Sequence, residues 1–206
     1  MPPAVSSSTS KDKDSGDSHP QVAESAIEFL IAEIVRYAEL SCPPEGPSEE
    51  ASIFACEMAA AKLERIGYSV GYRLCERLAQ NKTFGMASAG NASAKKDPAA
   101  AVAASQLEAV KFLCKEFWIE VFGKQIDKLQ TNHRGVFVLK DLGLKWLTRF
   151  PNNQENARVT AIQLLAFPCG MLRGALANLG IPSVVSCDFL TDGQNMESCS
   201  FNVKIK

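Results

Sequence analysis

The segment FPCGMLRGALANLGI, residues 167–181, constrains the fold more than any other, because it places two glycines four residues apart in an apolar run. Glycine inside a helix destabilises it by about 1 kcal/mol relative to alanine. Gly170 and Gly174 are one helical turn apart and therefore share a face. We expect a second backbone to pack closely against that face, since only glycine leaves room for such an approach.

Pro168 leaves two helix boundaries open in the same segment. Proline is tolerated best in the first turn of a helix, where its missing N–H has no intrahelical partner. Either a helix begins at Pro168, or a longer helix from about Val159 is kinked there. Gly180 is expected to end the helix in both cases.

The segment ESAIEFLIAEIVRYAEL, residues 24–40, predicts a first helix with a wide apolar surface. One stripe at helical spacing consists of Ile27, Leu30, Ile31, Ile34 and Ala38. Phe29 and Leu40 fall outside this stripe, whereas a surface helix normally keeps a broad polar face. Two interpretations stay open: a central core helix, or a helix held between its own core and a partner.

Ser48 is predicted to cap a second helix, with Glu49 and Glu50 in the first turn, where the helix dipole favours carboxylates. That helix is expected to end at Gly67, and a third helix is expected to open at Ser69. Residues 82–104, rich in Ala, Ser, Gly and Lys, predict a flexible loop.

Ser105 and Glu108 form a capping box that predicts the start of the next helix. Apolar residues then recur at steps of three and four as far as Val121, and they include Phe117 and Trp118. Because each aromatic side chain can bury about 150–250 Å², this helix is expected to anchor the core. Gly123 is expected to end or weaken it.

The C-terminal half predicts an antiparallel sheet. Residues 136–140 are expected to form a strand, with residues 144–150 as its neighbour. Residues 181–190 and 198–206 give two more strands, and the last alternates Cys199, Phe201, Val203 and Ile205 on one face. Helices, a hairpin, a helix and a second hairpin indicate an α+β fold.

Catalytic and metal chemistry find little support in the sequence. Cys169 stands near a helix N-terminus, where the pKa of a thiol can fall, but no motif pairs it with His19 or His133. Cys75 is interpreted as a small core residue. We expect no enzyme activity, no cofactor and no metal site. The formal net charge of −1 also excludes the strong basic excess that is typical of nucleic-acid binders.

Three segments of the chain follow one another in the order of a known family. They are GYRLCERL (71–78), FLCKEFWIEVFGKQIDKLQTNHRGVFVL (112–139) and LLAFPCGMLRGALANLGIPSVV (164–185). These segments resemble the small subunits of TRAPP, the transport protein particle, and above all its subunit 6 type. The resemblance covers most of residues 24–206.

The resemblance implies a bundle of about four to five helices on one side of a twisted four-stranded antiparallel sheet. It also implies a heterodimer with another TRAPP small subunit, of the subunit 3 type, formed through the first helices. The interface residues expected from it are Ile27, Phe29, Leu30, Ile31, Ile34, Phe54 and Met58. The subunit 3 type carries an acylated cysteine after its third helix, but residues 79–104 contain no cysteine, so we transfer neither acylation nor a lipid channel.

The function implied is that of a non-catalytic structural subunit of the TRAPP vesicle-tethering complex. The family assembles a nucleotide exchange factor for a Rab-type GTPase in ER-to-Golgi and intra-Golgi transport. The chain is therefore expected in the cytoplasm, with peripheral membrane contact through the complex at Golgi and ER-to-Golgi membranes. Two other classes stay open from the residues alone: a small-ligand or lipid-binding α+β module, and a thiol enzyme that uses Cys169.

The first 22 residues are polar and predict a disordered tail in front of a single domain over residues 23–206. Because residues 1–20 lack apolar anchors, deleting them should leave the melting temperature almost unchanged in a thermal scan. A fall of more than a few degrees would show that the tail packs on the domain.

Overall fold

The computed structural model describes residues 23–80, 98–132, 134–148, 157–190 and 198–206. The predicted tail and most of the predicted loop lie outside these ranges. The elements in chain order are α1 Glu24–Leu40, α2 Glu49–Ala79, α3 Pro98–Phe112, a π-helical stretch Leu113–Phe117, α4 Trp118–Phe122, β1 Lys128–Thr131, β2 Val136–Asp141, α5 Lys145–Thr148, α6 Ala157–Asn178, β3 Ser183–Phe189 and β4 Cys199–Ile205.

The four strands form one antiparallel sheet in the order β1-β2-β4-β3. Alternate residues of the central strands, such as Leu139 and its partner Phe201, are fully buried. On the other face, Val184 and its partner Lys204 are exposed. The helices therefore cover one side of the sheet, and the predicted α+β fold class is confirmed.

The second and third predicted helices are a single helix, α2, so the predicted break at Gly67 is wrong. Gly67 and Gly71 are buried inside α2, and a Cβ atom on either would overlap a carbonyl group of α6, at Phe167 or Met171. The hydroxyl of Ser69 donates to the carbonyl of Arg65 one turn earlier and does not cap a helix. Local C-cap chemistry is overridden here because the glycines are needed at a helix crossing.

Helix α6 runs through Pro168 without ending, so the longer of the two predicted helices is the correct one. Gly180 follows its last turn with a φ of 75°, the left-handed conformation expected of a terminating glycine. By length and composition the Val159–Asn178 part could cross a membrane, at a mean hydropathy of 1.4, but 72% of it is buried in the fold. It is the central helix of the core.

The start of the helix after the predicted loop also differs from prediction. Helix α3 begins at Pro98 and not at Ser105. The residues between them are mostly alanine, the best helix former, and proline suits a first helical position. The last part of the predicted 82–104 loop is therefore helical.

The predicted strand 144–150 is also wrong, because Lys145–Thr148 is a short helix. Leu144 and Leu147 are both buried, and their spacing of three suits a helical turn better than a strand. Strand β2 pairs instead with β1, the strand that precedes it in the chain.

Trp118 anchors the core, as the sequence predicts for this helix. Its ring meets Phe201 edge-on at 5.2 Å between centroids, and its indole N–H donates to Asp141 Oδ2 at 2.8 Å. Lys124 Nζ donates to the other oxygen of Asp141 at 2.7 Å. The turn at Gly123, with a φ of 70°, ends the helix and brings Lys124 to this buried carboxylate.

We predict that Gly174→Ala destabilises the protein by about 1–3 kcal/mol, the usual range for overpacking. The added Cβ would lie only 2.9 Å from the carbonyl carbon of Tyr68, although alanine raises helix propensity. Gly143→Ala is the matched control, because a Cβ there meets nothing within 4 Å. Urea unfolding of the two variants compares them, and equal stability of Gly174→Ala and the parent would contradict the packing argument.

Candidate partner interface

One stripe of α1 faces the core of the chain. Val35 and Ala38 are buried with Ile31, which is only 9% exposed, in the same cluster as Ala59 and Leu63 of α2. Ile31 was expected at the partner interface, and within the chain its side chain is buried in this cluster. It therefore packs inside the chain and belongs to the core.

A second stripe of α1 lies beside the buried one and is open to solvent. It consists of Ile27, Leu30, Ile34 and Tyr37, at steps of three, four and three. Leu30 is 54% and Tyr37 56% exposed, whereas Ile34 is half-buried. Tyr37 was not among the expected residues, although its spacing from Ile34 could have revealed it.

Phe29 is the most exposed large apolar side chain of α1, at 76%. Helical periodicity places it away from Leu30, on the side that carries Glu33 and Arg36, whose ion pair spans 3.5 Å. It therefore lies in a charged setting, on the same side of α1 as the exposed Leu40, next to the exposed stripe and not within it.

Helix α2 continues the exposed apolar surface. Phe54 is 60% and Met58 47% exposed, and with Lys62 they form a row at steps of four. The ammonium of Lys62 lies 4.7 Å from the centre of the Tyr37 ring. The two exposed rows thus meet at the Tyr37–Lys62 contact, and we call them together the α1–α2 face.

Three of the cysteines, Cys75, Cys114 and Cys187, have raised thiol pKa values. Burial raises the pKa of Cys75 to about 11 and that of Cys114 to about 12. Hydrogen bonding with Cys169, then with Cys199, together with burial, raises the pKa of Cys187. Cys169 itself is 6% exposed. His133 lies outside the described residues.

No group of three or more His, Cys, Asp or Glu side chains is placed to hold a metal ion in the described ranges. The α1–α2 face carries exposed large apolar side chains from both helices. Such a surface on an otherwise well-packed α+β domain is typical of a subunit of a larger assembly.

The chain belongs to the TRAPP component family. The family model described as Transport protein particle (TRAPP) component matches residues 27–206. The chain is similar to trafficking protein particle complex subunit 6b of Danio rerio, with 34% identity over 183 residues that cover 89% of this chain and 97% of the relative. Subunit 6A of Homo sapiens is 35% identical over 179 residues, covering 87% and 94%.

Solved structures support the same fold. A trafficking protein particle complex subunit 3 from Naegleria fowleri, described as covalently bound to palmitic acid, aligns with a TM-score of 0.55 and 16% identity. The alignment covers 89% of this chain and 97% of that one. The family model and the subunit 6 relatives confirm the resemblance to TRAPP subunits of the subunit 6 type. The subunit 3 structure supports the fold alone.

We predict that Cys75 and Cys114 react slowly with iodoacetamide at pH 8 in the native protein, because their thiolate forms are disfavoured. In denaturant all seven cysteines should react quickly. The half-buried Cys42 and Cys56 are internal controls that should react faster than the two in the native state. Peptide mass spectrometry gives the rate of each site, and rapid selective labelling of Cys169 would favour a thiol enzyme.

Proposed function

We propose that this chain is a non-catalytic subunit that binds another TRAPP small subunit through the α1–α2 face. Family membership and the subunit 6 relatives make it a structural subunit of the TRAPP complex. A role in vesicle tethering and in assembling a Rab exchange factor is consistent with the family. The observation that supports this docking surface is the row of exposed apolar side chains on both α1 and α2, which meet at the Tyr37–Lys62 contact.

The energetics of this surface favour a stable partner. Each fully buried Leu, Ile, Phe or Met side chain contributes about 1.5–3 kcal/mol relative to its exposed state. Leu30, Tyr37, Phe54 and Met58 are each roughly half exposed or more, and aromatic residues and Met are enriched at protein interfaces. A total buried area of about 1,600 Å² would be a standard specific interface.

The partner we propose is the subunit 3 type, as the family resemblance implies. The chain would then reach a Rab-type GTPase only indirectly, through the complex. Its place would be peripheral at Golgi and ER-to-Golgi membranes. The burial of Cys169, which is only 6% exposed, supports a non-catalytic role over an enzyme that uses this thiol.

Leu30→Glu and Phe29→Glu should each give a folded chain whose affinity for a subunit 3 type partner falls at least tenfold. The new charge would lie in or beside the α1–α2 face, where an unpaired buried charge is strongly unfavourable. Ile31→Glu should instead unfold the chain, because that position is in the core. Circular dichroism with a pull-down separates the two outcomes.

Ile119→Glu is the matched control, since Ile119 is 44% exposed but belongs to α4. It should fold and bind as the parent does. Full partner binding by Leu30→Glu would remove the α1–α2 face as the docking surface. If only Phe29→Glu kept full binding, the interface would be confined to the stripe of Leu30 and Tyr37.

A further inference from the structure

A groove of about 730 Å³ lies where the end of α1, the first turns of α2 and the first turns of α6 meet. Its wall from α6 is apolar and exposed: Val159 is 44% and Ile162 52% open to solvent. Ile53 of α2 faces the same space and is 54% exposed. We call this the α1–α2–α6 groove.

The part of α2 that lines the groove carries small side chains. Ala55, Cys56, Ala59 and Ala60 all contribute to it. Small residues on the floor and larger apolar residues on the walls leave room for the side chains of an incoming segment.

Acidic side chains lie along the rim. Glu49, Ile53 and Glu57 form one row of α2 at steps of four, and Glu39 of α1 adds a third carboxylate. Glu49 and Glu57 are about 12 Å apart along the helix axis, at 1.5 Å per residue. Within the described part of the chain none of these three carboxylates is engaged in an ion pair.

We propose that the α1–α2–α6 groove binds a basic amphipathic helix of a protein partner. Its apolar face would pack on Ile53, Val159 and Ile162, as helices do in apolar grooves. Lysine or arginine side chains about two turns apart would meet Glu49 and Glu57. The acidic rim selects a cationic segment and disfavours an anionic membrane surface.

This groove is separate from the α1–α2 face. Phe54 and Met58 do not line it, and helical periodicity places them on another side of α2 from Ile53 and Glu57. The proposal therefore does not rest on the proposed dimer. One chain could hold a small subunit on one side of α2 and a basic helix on the other.

The test uses the full chain and labelled 18-residue peptides in fluorescence anisotropy. The first peptide has Leu at helical steps of three and four and Lys elsewhere. The second replaces Lys by Glu, and the third has the first composition in scrambled order. We expect the first to bind at least tenfold more tightly than either of the others, and more weakly as salt rises, since salt screens charges at an exposed rim.

Variants then locate the site. Glu57→Lys and Ile162→Ser should each weaken binding of the first peptide at least fivefold while circular dichroism stays unchanged. Phe54→Ser is the control on the α1–α2 face and should bind the peptide as the parent does. Equal binding of the Lys and Glu peptides, equal binding of the scrambled peptide, or full binding by both groove variants would each overturn the proposal.

Discussion

The contact between α2 and α6 is the constraint on which the remaining structure depends. Gly67 and Gly71 on one helix, and Gly170 and Gly174 on the other, remove the side chains that would otherwise hold the backbones apart. A Cβ at any of the four would overlap a carbonyl group of the opposite helix. The loss in helix propensity at four glycines is thus offset by an approach that no other residue permits.

This crossing sets the position of both proposed binding surfaces. Helix α6 packs on the sheet through β3, and α2 also contacts α1. A helix of 31 residues is about 46 Å long, so α2 extends well beyond the crossing. Its early turns therefore offer Phe54 and Met58 on one side, and Ile53 and Glu57 on another.

The buried carboxylate of Asp141 links the helical layer to the sheet. It is fully buried, yet it accepts hydrogen bonds from Trp118, from Lys124 and from the backbone N–H of Gly143. Removing one partner of such a group leaves an uncompensated polar group in the core. The end of α4 and the end of β2 are held together by these bonds.

The sequence by itself determined the elements whose signals are local or strictly periodic. Helix α1, the cap at Ser48, the stop at Gly180 and the last two strands could all be predicted, because each depends on near neighbours along the chain. The periodic apolar spacing around Trp118 likewise predicted the helix that anchors the core. The wide apolar surface of α1 was also visible, but which of its stripes lies inside was not.

Tertiary structure alone decided the conformation or burial of residues at which long-range packing opposes a local sequence signal. Gly67 resembles a helix terminus and becomes a crossing point, because its partner lies about a hundred residues further along the chain. Ile31 and Leu30 are adjacent in one apolar run, and only the position of α2 buries the first and exposes the second. Residues 144–150 are apolar enough for a strand, yet β1 occupies the edge of β2 that they would need.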